Sequence, residues 1–249
     1  MRTSERGLAL VVTTMAMLLL TALGAALILA TGADLAIAAN AGAASEAFAA
    51  AEAVFERTLA ELRRAPDFTS VLDGSFPSAF LDGDSPGPRT LADGTRINLL
   101  EVRNLANCQK TTGCSEADLN AAIRDRPWGT RNPRWRLFSW GPVSRSASML
   151  ADAPPIYTVS LVADDPSETD ADPMRDGGGA GPSANPGAGI VLVRAEALAG
   201  RGAHRIVEGL VRRHDLVARA RWDAADPATR GPAPVSAPAV QVLTWREVR

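Results

Sequence analysis

The spacing of apolar residues along the chain changes character twice. From Leu8 to Ala33 no charged residue occurs and apolar side chains crowd every face of a helical wheel. About 20 such residues, rising 1.5 Å each, cross a hydrocarbon layer of about 30 Å. From Ile37 onward the apolar positions thin to Ile37, Ala41, Ala44, Phe48, Ala51, Phe55, Leu59 and Leu62, the alternating three–four spacing of a single helical stripe. Glu46, Arg57, Glu61 and Arg64 fall on the opposite side of that wheel. No proline interrupts before Pro66, so the pattern predicts one helix over about 8–64. Gly24, Gly32 and Gly42 each weaken it by up to ~1 kcal/mol relative to alanine.

Beyond the helix the period shortens to two. Asp67–Pro88, rich in Pro, Gly, Ser and Asp, reads as a loop leaving the helix. Arg96–Leu105 alternates enough to predict a strand, and Ser115 followed by Glu116 and Asp118 predicts a helix start reaching about Arg126. Arg134–Trp140 predicts a strand with Trp135 and Leu137 on one face and Phe138 and Trp140 on the other. Ile156–Ala163, Gly189–Arg194, Arg205–Arg213 and Val240–Trp245 predict four more strands. Strands without long intervening helices imply an antiparallel sheet whose apolar face packs on the second half of the helix. The expected class is α+β: a long N-terminal transmembrane and amphipathic helix on an antiparallel β-sheet body.

Composition supports a packed body, with 46% hydrophobic and 22% charged residues among 249. A formal charge of −2 excludes a global electrostatic footprint for nucleic acid. The local cluster Arg201, Arg205, Arg212, Arg213, Arg219 and Arg221 reads first as a solvated strand face; contact with DNA or an acidic neighbouring subunit is the alternative. Arg2 and Arg6 precede the apolar run, whereas Asp34 and Glu46 are the first charges after it. The basic flank is therefore expected on the cytoplasmic side and the body outside. A cleaved signal peptide, with a site near Ala36-Ile37-Ala38, competes with this reading. Against it, the apolar run exceeds a usual signal core and the helical pattern continues past that site.

Export would place Cys108 and Cys114 in an oxidising space, where they can pair across a short loop or remain free thiols. A zinc site there lacks a second pair of ligands. Asp164, Asp165, Glu168, Asp170, Asp172 and Asp176 crowd the segment between two predicted strands. Hard oxygen ligands on a loop are what Ca2+ takes, although the twelve-residue EF-hand spacing is absent and a solvated acidic loop is the simpler reading. His204 and Glu208 have metal-ligand spacing on a helix, but the surrounding period of two spreads them along a strand, and the other histidine is His214. There is no GxSxG, HExxH or phosphate loop in a strand–loop–helix setting, so no residue pattern points to an enzyme. Glu52 borders the apolar stripe and is expected either to pair with an arginine, such as Arg63 or one from the sheet, or to face water.

The string ERGLALVV, the LLLTALG run, and IAANAGAASEAFAAAEAVFERTLAEL resemble the N-terminus of PilX-type minor pilins of the type IV pilus system. The Ala-Ala-Glu-Ala around Glu52 and the closing VLTWREVR also match, with the resemblance concentrated over 4–62. It implies a prepilin leader at 1–7, cleavage after Gly7 by a prepilin peptidase, and methylation of a new N-terminal Leu8. It further implies a pilin helix at 8–64, of which 8–33 spans the inner membrane with its N-terminus cytoplasmic, and a periplasmic, later extracellular, body at 65–249. The partners implied are other minor and major pilins and the inner-membrane assembly platform. Most pilins carry glutamate at the fifth mature position, where this chain has Val12. That departure resembles PilX relatives, and the K-type minor pseudopilins of type II secretion, rather than a major pilin. It suggests a subunit near the filament tip. An unprocessed membrane-anchored periplasmic binding domain is the rival from another class.

Overall fold

The computed structural model describes residues 4–91, 93–122, 129–143, 155–167, 172–177, 189–199, 202–213, 228 and 240–248. The chain divides into two compact units, 1–43 and 44–249. Helix α1, Ser4–Leu62, supplies almost all of the first and opens the second.

In the first unit the helix is apolar on all sides, and Leu8, Leu10, Leu18, Leu20, Leu27 and Ile28 each expose more than half of their surface. It is long and apolar enough to cross a membrane. The threonines of its uncharged run are paired within the helix: Thr13, Thr14, Thr21 and Thr31 each donate a hydroxyl hydrogen bond to a carbonyl three or four residues earlier, at 2.9–3.1 Å.

In the second unit the same helix becomes one-sided. Ala47, Ala51, Val54, Phe55, Leu59 and Leu62 are buried, joined by Phe68, Val71 and Leu72 from the turn that follows and from α2, Thr69–Asp73. They pack on a five-stranded antiparallel sheet in simple sequential order: β3 (Arg136–Pro142), β4 (Ile156–Asp164), β5 (Ile190–Ala199), β6 (His204–Arg213) and β7 (Val240–Val248). Val191, Val193, Ala195 and Ala197 of β5 and Val207 and Val211 of β6 form the helix-facing layer. Alternate residues on one face are what period-two strands provide. Gly209 on β6 marks the closest approach, since a Cβ there would lie 2.5 Å from Cζ of Phe55.

The reverse face of the sheet carries a second core, built from Tyr157, Val159, Leu161 and Ala163 of β4 with Leu99, Val102 and Ala106. These last three belong to a helix, so the strand expected over Arg96–Leu105 is corrected. Only Arg96–Asn98 is extended, as β2, pairing with β1 (Pro88–Thr90), and α3 runs Leu99–Cys108. The helix wins because Leu99, Val102 and Ala106 share one face at helical spacing. The Asn98 side chain caps it by accepting the Leu100 N–H at 3.1 Å. The predicted start at Ser115 is a capping box with Asp118, but α4 ends at Ala121; residues 123–128 lie outside the described ones.

The expected faces of β3 are also corrected. The register slips between Leu137 and Ser139, a bulge that gives Phe138 to the helix side while Trp140 joins Trp135 and Leu137 on the reverse side. The outer edge of β3 is covered by the chain at 80–82: Trp140 N–H donates to Phe80 O at 3.1 Å and Asp82 N–H to Trp140 O at 2.9 Å.

Candidate assembly interface

Gly7, Leu8 and Val12 lie within α1, and Leu8 and Val12 are exposed. Among the described residues nothing covers the apolar run that follows, whereas from Ala47 onward the stripe is buried in the body. One helix thus offers an unsatisfied apolar surface at one end and a seated one at the other.

Glu52 is exposed and makes no ion pair among the described residues, so it follows the water-facing alternative. Glu61, further along the helix, does find partners. Although the wheel puts it on the polar side, Glu61 is buried, accepting hydrogen bonds from Ser78 Oγ and, at 2.7 Å, from the Ala79 N–H. The helix buries a wider arc at its end than one stripe accounts for. Thr58 and Glu61, three residues apart beside Leu62, are both buried, as is Ala65 just past the helix end.

Arg57, also assigned to the polar face, is half buried, with its guanidinium 4.4 Å over the Phe80 ring. Its Nε and Nη2 are buried and have no hydrogen-bond partner. It lines a groove of about 640 Å³ between α1, the outer edge of β3 and the 79–82 segment.

Cys108 and Cys114 form a disulfide with a Cα–Cα distance of 6.1 Å. It fastens the end of α3 to the approach to α4, where Lys110 meets Asp118 at 2.6 Å. Hydrogen bonding from Lys110, then from Ser115, holds the Asp118 carboxyl down at about 2.

The described acids of the 164–176 segment each have partners of their own. Asp164 and Asp165 are buried at the end of β4; Asp165 accepts from the Ser167 N–H and Oγ at 2.9 and 2.7 Å. Asp172 accepts from the Met174 N–H, and Asp176 takes the Gly189 N–H at 2.6 Å, closing the entry to β5. Burial pushes the Asp176 carboxyl up to about 6 against the pull of its bonds to the Gly189 and Ile190 amides. Glu168 and Asp170 lie outside the described residues. Among the described residues no three His, Cys, Asp or Glu side chains gather into a metal-holding group.

His204 is on a strand, and its partner is Glu196, at 2.8 Å, rather than Glu208. Glu196 and Glu208 are bridged by Arg194 at 2.6 and 2.7 Å, and Arg246 of β7 reaches Glu208 at 3.1 Å. Burial alone would raise the Glu196 carboxyl, but the His204 hydrogen bond and the Arg194 guanidinium outweigh it and hold it below its ordinary range. This network ties β7 to the sheet, as does Arg205 with Glu247 at 3.4 Å. No single-strand pattern predicts it, because its members meet only through cross-strand register. Of the other arginines in the cluster, Arg201, Arg219 and Arg221 lie outside the described residues, as does His214.

No family model, curated protein or solved structure matches this chain.

Proposed function

We propose that the protein is a minor pilin of the PilX type: a low-copy structural subunit held in the inner membrane with its N-terminus inside, processed after Gly7, and incorporated near the tip or initiation complex of a type IV pilus. The observation that carries this reading is the division of labour along α1. Its apolar run leaves large side chains exposed over 8–29 and its alanine-rich stripe is seated on an antiparallel sheet. Apolar surface of that extent is stable in water only when lipid or another protein removes it. A subunit that passes from bilayer to filament core needs both environments in turn. Val12 supports a tip or minor position over a major one, because a carboxylate in the apolar layer is costly unless a neighbour pairs with it. The same residue favours the second reading, a K-type minor pseudopilin of a type II secretion system.

N-terminal mass spectrometry on protein purified from membranes tests the proposal. A chain beginning at methylated Leu8 is expected. An intact Met1 would point to an unprocessed anchored periplasmic domain, and a start near Ala39 to a cleaved signal peptide; either result rejects it.

A further inference from the structure

The groove beside Arg57 has an unusual hydrogen-bond balance. Its walls are small or apolar, with Ala50, Ala53 and Val54 on α1, Pro142 at the end of β3 and Val143 just past it, and Phe80 and Leu81 stand partly exposed at its rim. Of its polar groups, Asp82 is engaged with the Tyr157 hydroxyl at 2.9 Å and with Arg89 at 3.4 Å, and Thr158 Oγ1 donates to Gly141 O at 3.1 Å. Glu61, one turn beyond Arg57, commits both carboxylate oxygens to Ser78 and Ala79. The donors left without acceptors are Nε and Nη2 of Arg57. These two atoms form one edge of the guanidinium, the edge that holds a carboxylate through two parallel hydrogen bonds. Buried donors without acceptors are rare and costly in a folded protein.

We infer that this groove is a docking site for an apolar, small-residue segment of a different filament subunit that brings one Asp or Glu carboxylate to the Nε–Nη2 edge of Arg57. Small side chains along Ala50 and Ala53 allow a neighbouring backbone to come close. The entering carboxylate shifts the half-exposed Phe80 ring, and the segment that carries it repacks against that ring and Leu81. Apolar area supplies the affinity and the paired hydrogen bonds set the register. The inference rests on the reading of the chain as a low-copy subunit, whose neighbours are other proteins.

The test uses the full-length chain in its native membrane, with Ala53→p-benzoylphenylalanine as a photo-crosslinker and the adducts mapped by mass spectrometry. The expected adduct joins position 53 to a different subunit within one helical turn of an Asp or Glu. Arg57→Gln should lower its yield about tenfold or more, and Arg57→Lys should restore only part of it, because lysine lacks the fork. Arg57→Glu combined with reversal of the partner's mapped acid to Arg should recover the yield. Retained Cys108–Cys114 disulfide and unchanged protein level show that each variant has folded. No adduct, an adduct to lipid or to a second copy of this chain, or a yield indifferent to Arg57→Gln overturns the inference. The result is separable from the N-terminal measurement, since crosslinking reads the groove and mass spectrometry of the N-terminus reads processing.

Discussion

At Gly209 the absence of a side chain is what lets Phe55 rest on the sheet. A methyl group placed there would sit 2.5 Å from Cζ of the ring and 3.0 Å from the Thr244 carbonyl oxygen. Gly209→Ala is therefore expected to destabilise the body by about 1–3 kcal/mol, the cost of overpacking a filled core, as measured by thermal melting in detergent. Two acids should respond to pH in opposite directions. Glu196 is held below its ordinary 4.5 in the fold, so its contribution is present above that value and is lost as pH falls through the folded pKa. Melts of wild type and Glu196→Gln should differ at pH 7, and the difference should shrink as pH falls below 4.5. Asp176 is raised from 3.8 to about 6, so its contribution is present below 3.8 and is lost as pH rises through about 6. Asp176→Asn keeps an oxygen for the Gly189 amide. It should stabilise the protein at pH 7.5 by about 1–2 kcal/mol after allowing for solvent screening, with no gain near pH 4.

Among the elements, those with a long, regular period are legible from the amino-acid order, as is the capped start of α4 at Ser115, whereas α2, β1, β2 and α3 are not. Helix α1 carries its stripe through many turns, and β4, β5, β6 and β7 each fall where an apolar run begins. The residues from Ile97 to Ala106 are too few for two periods to be told apart, and the deciding feature, the Asn98 cap, is a local hydrogen bond. Trp140 was assigned to the wrong side because one bulged residue reverses every face after it. A helical wheel carries one stripe and so places Glu61 and Arg57 on the polar side, whereas the 78–82 segment folds over a second face. The Cys108–Cys114 loop closes only a few residues, and removing it with Cys108→Ser and Cys114→Ser should cost about 2 kcal/mol in denaturant melts, less than a long-loop bridge would.

Taken whole, the molecule must satisfy water over its body and something apolar over residues 8–29. Leu20→Arg places a guanidinium near the middle of the uncharged run and should cost about 3 kcal/mol of insertion. The expected readout is a shift of the protein from the carbonate-resistant membrane fraction to the soluble one, and an unchanged distribution would contradict membrane anchoring. The threonine hydroxyls of this run are already bonded to their own helix. A helix that asks for no outside donor or acceptor meets no hydrogen-bonding toll when it trades acyl chains for the flank of another apolar helix. For the proposed pilin, an exchange of that kind would turn on the fit between two apolar surfaces and not on finding new hydrogen-bond partners.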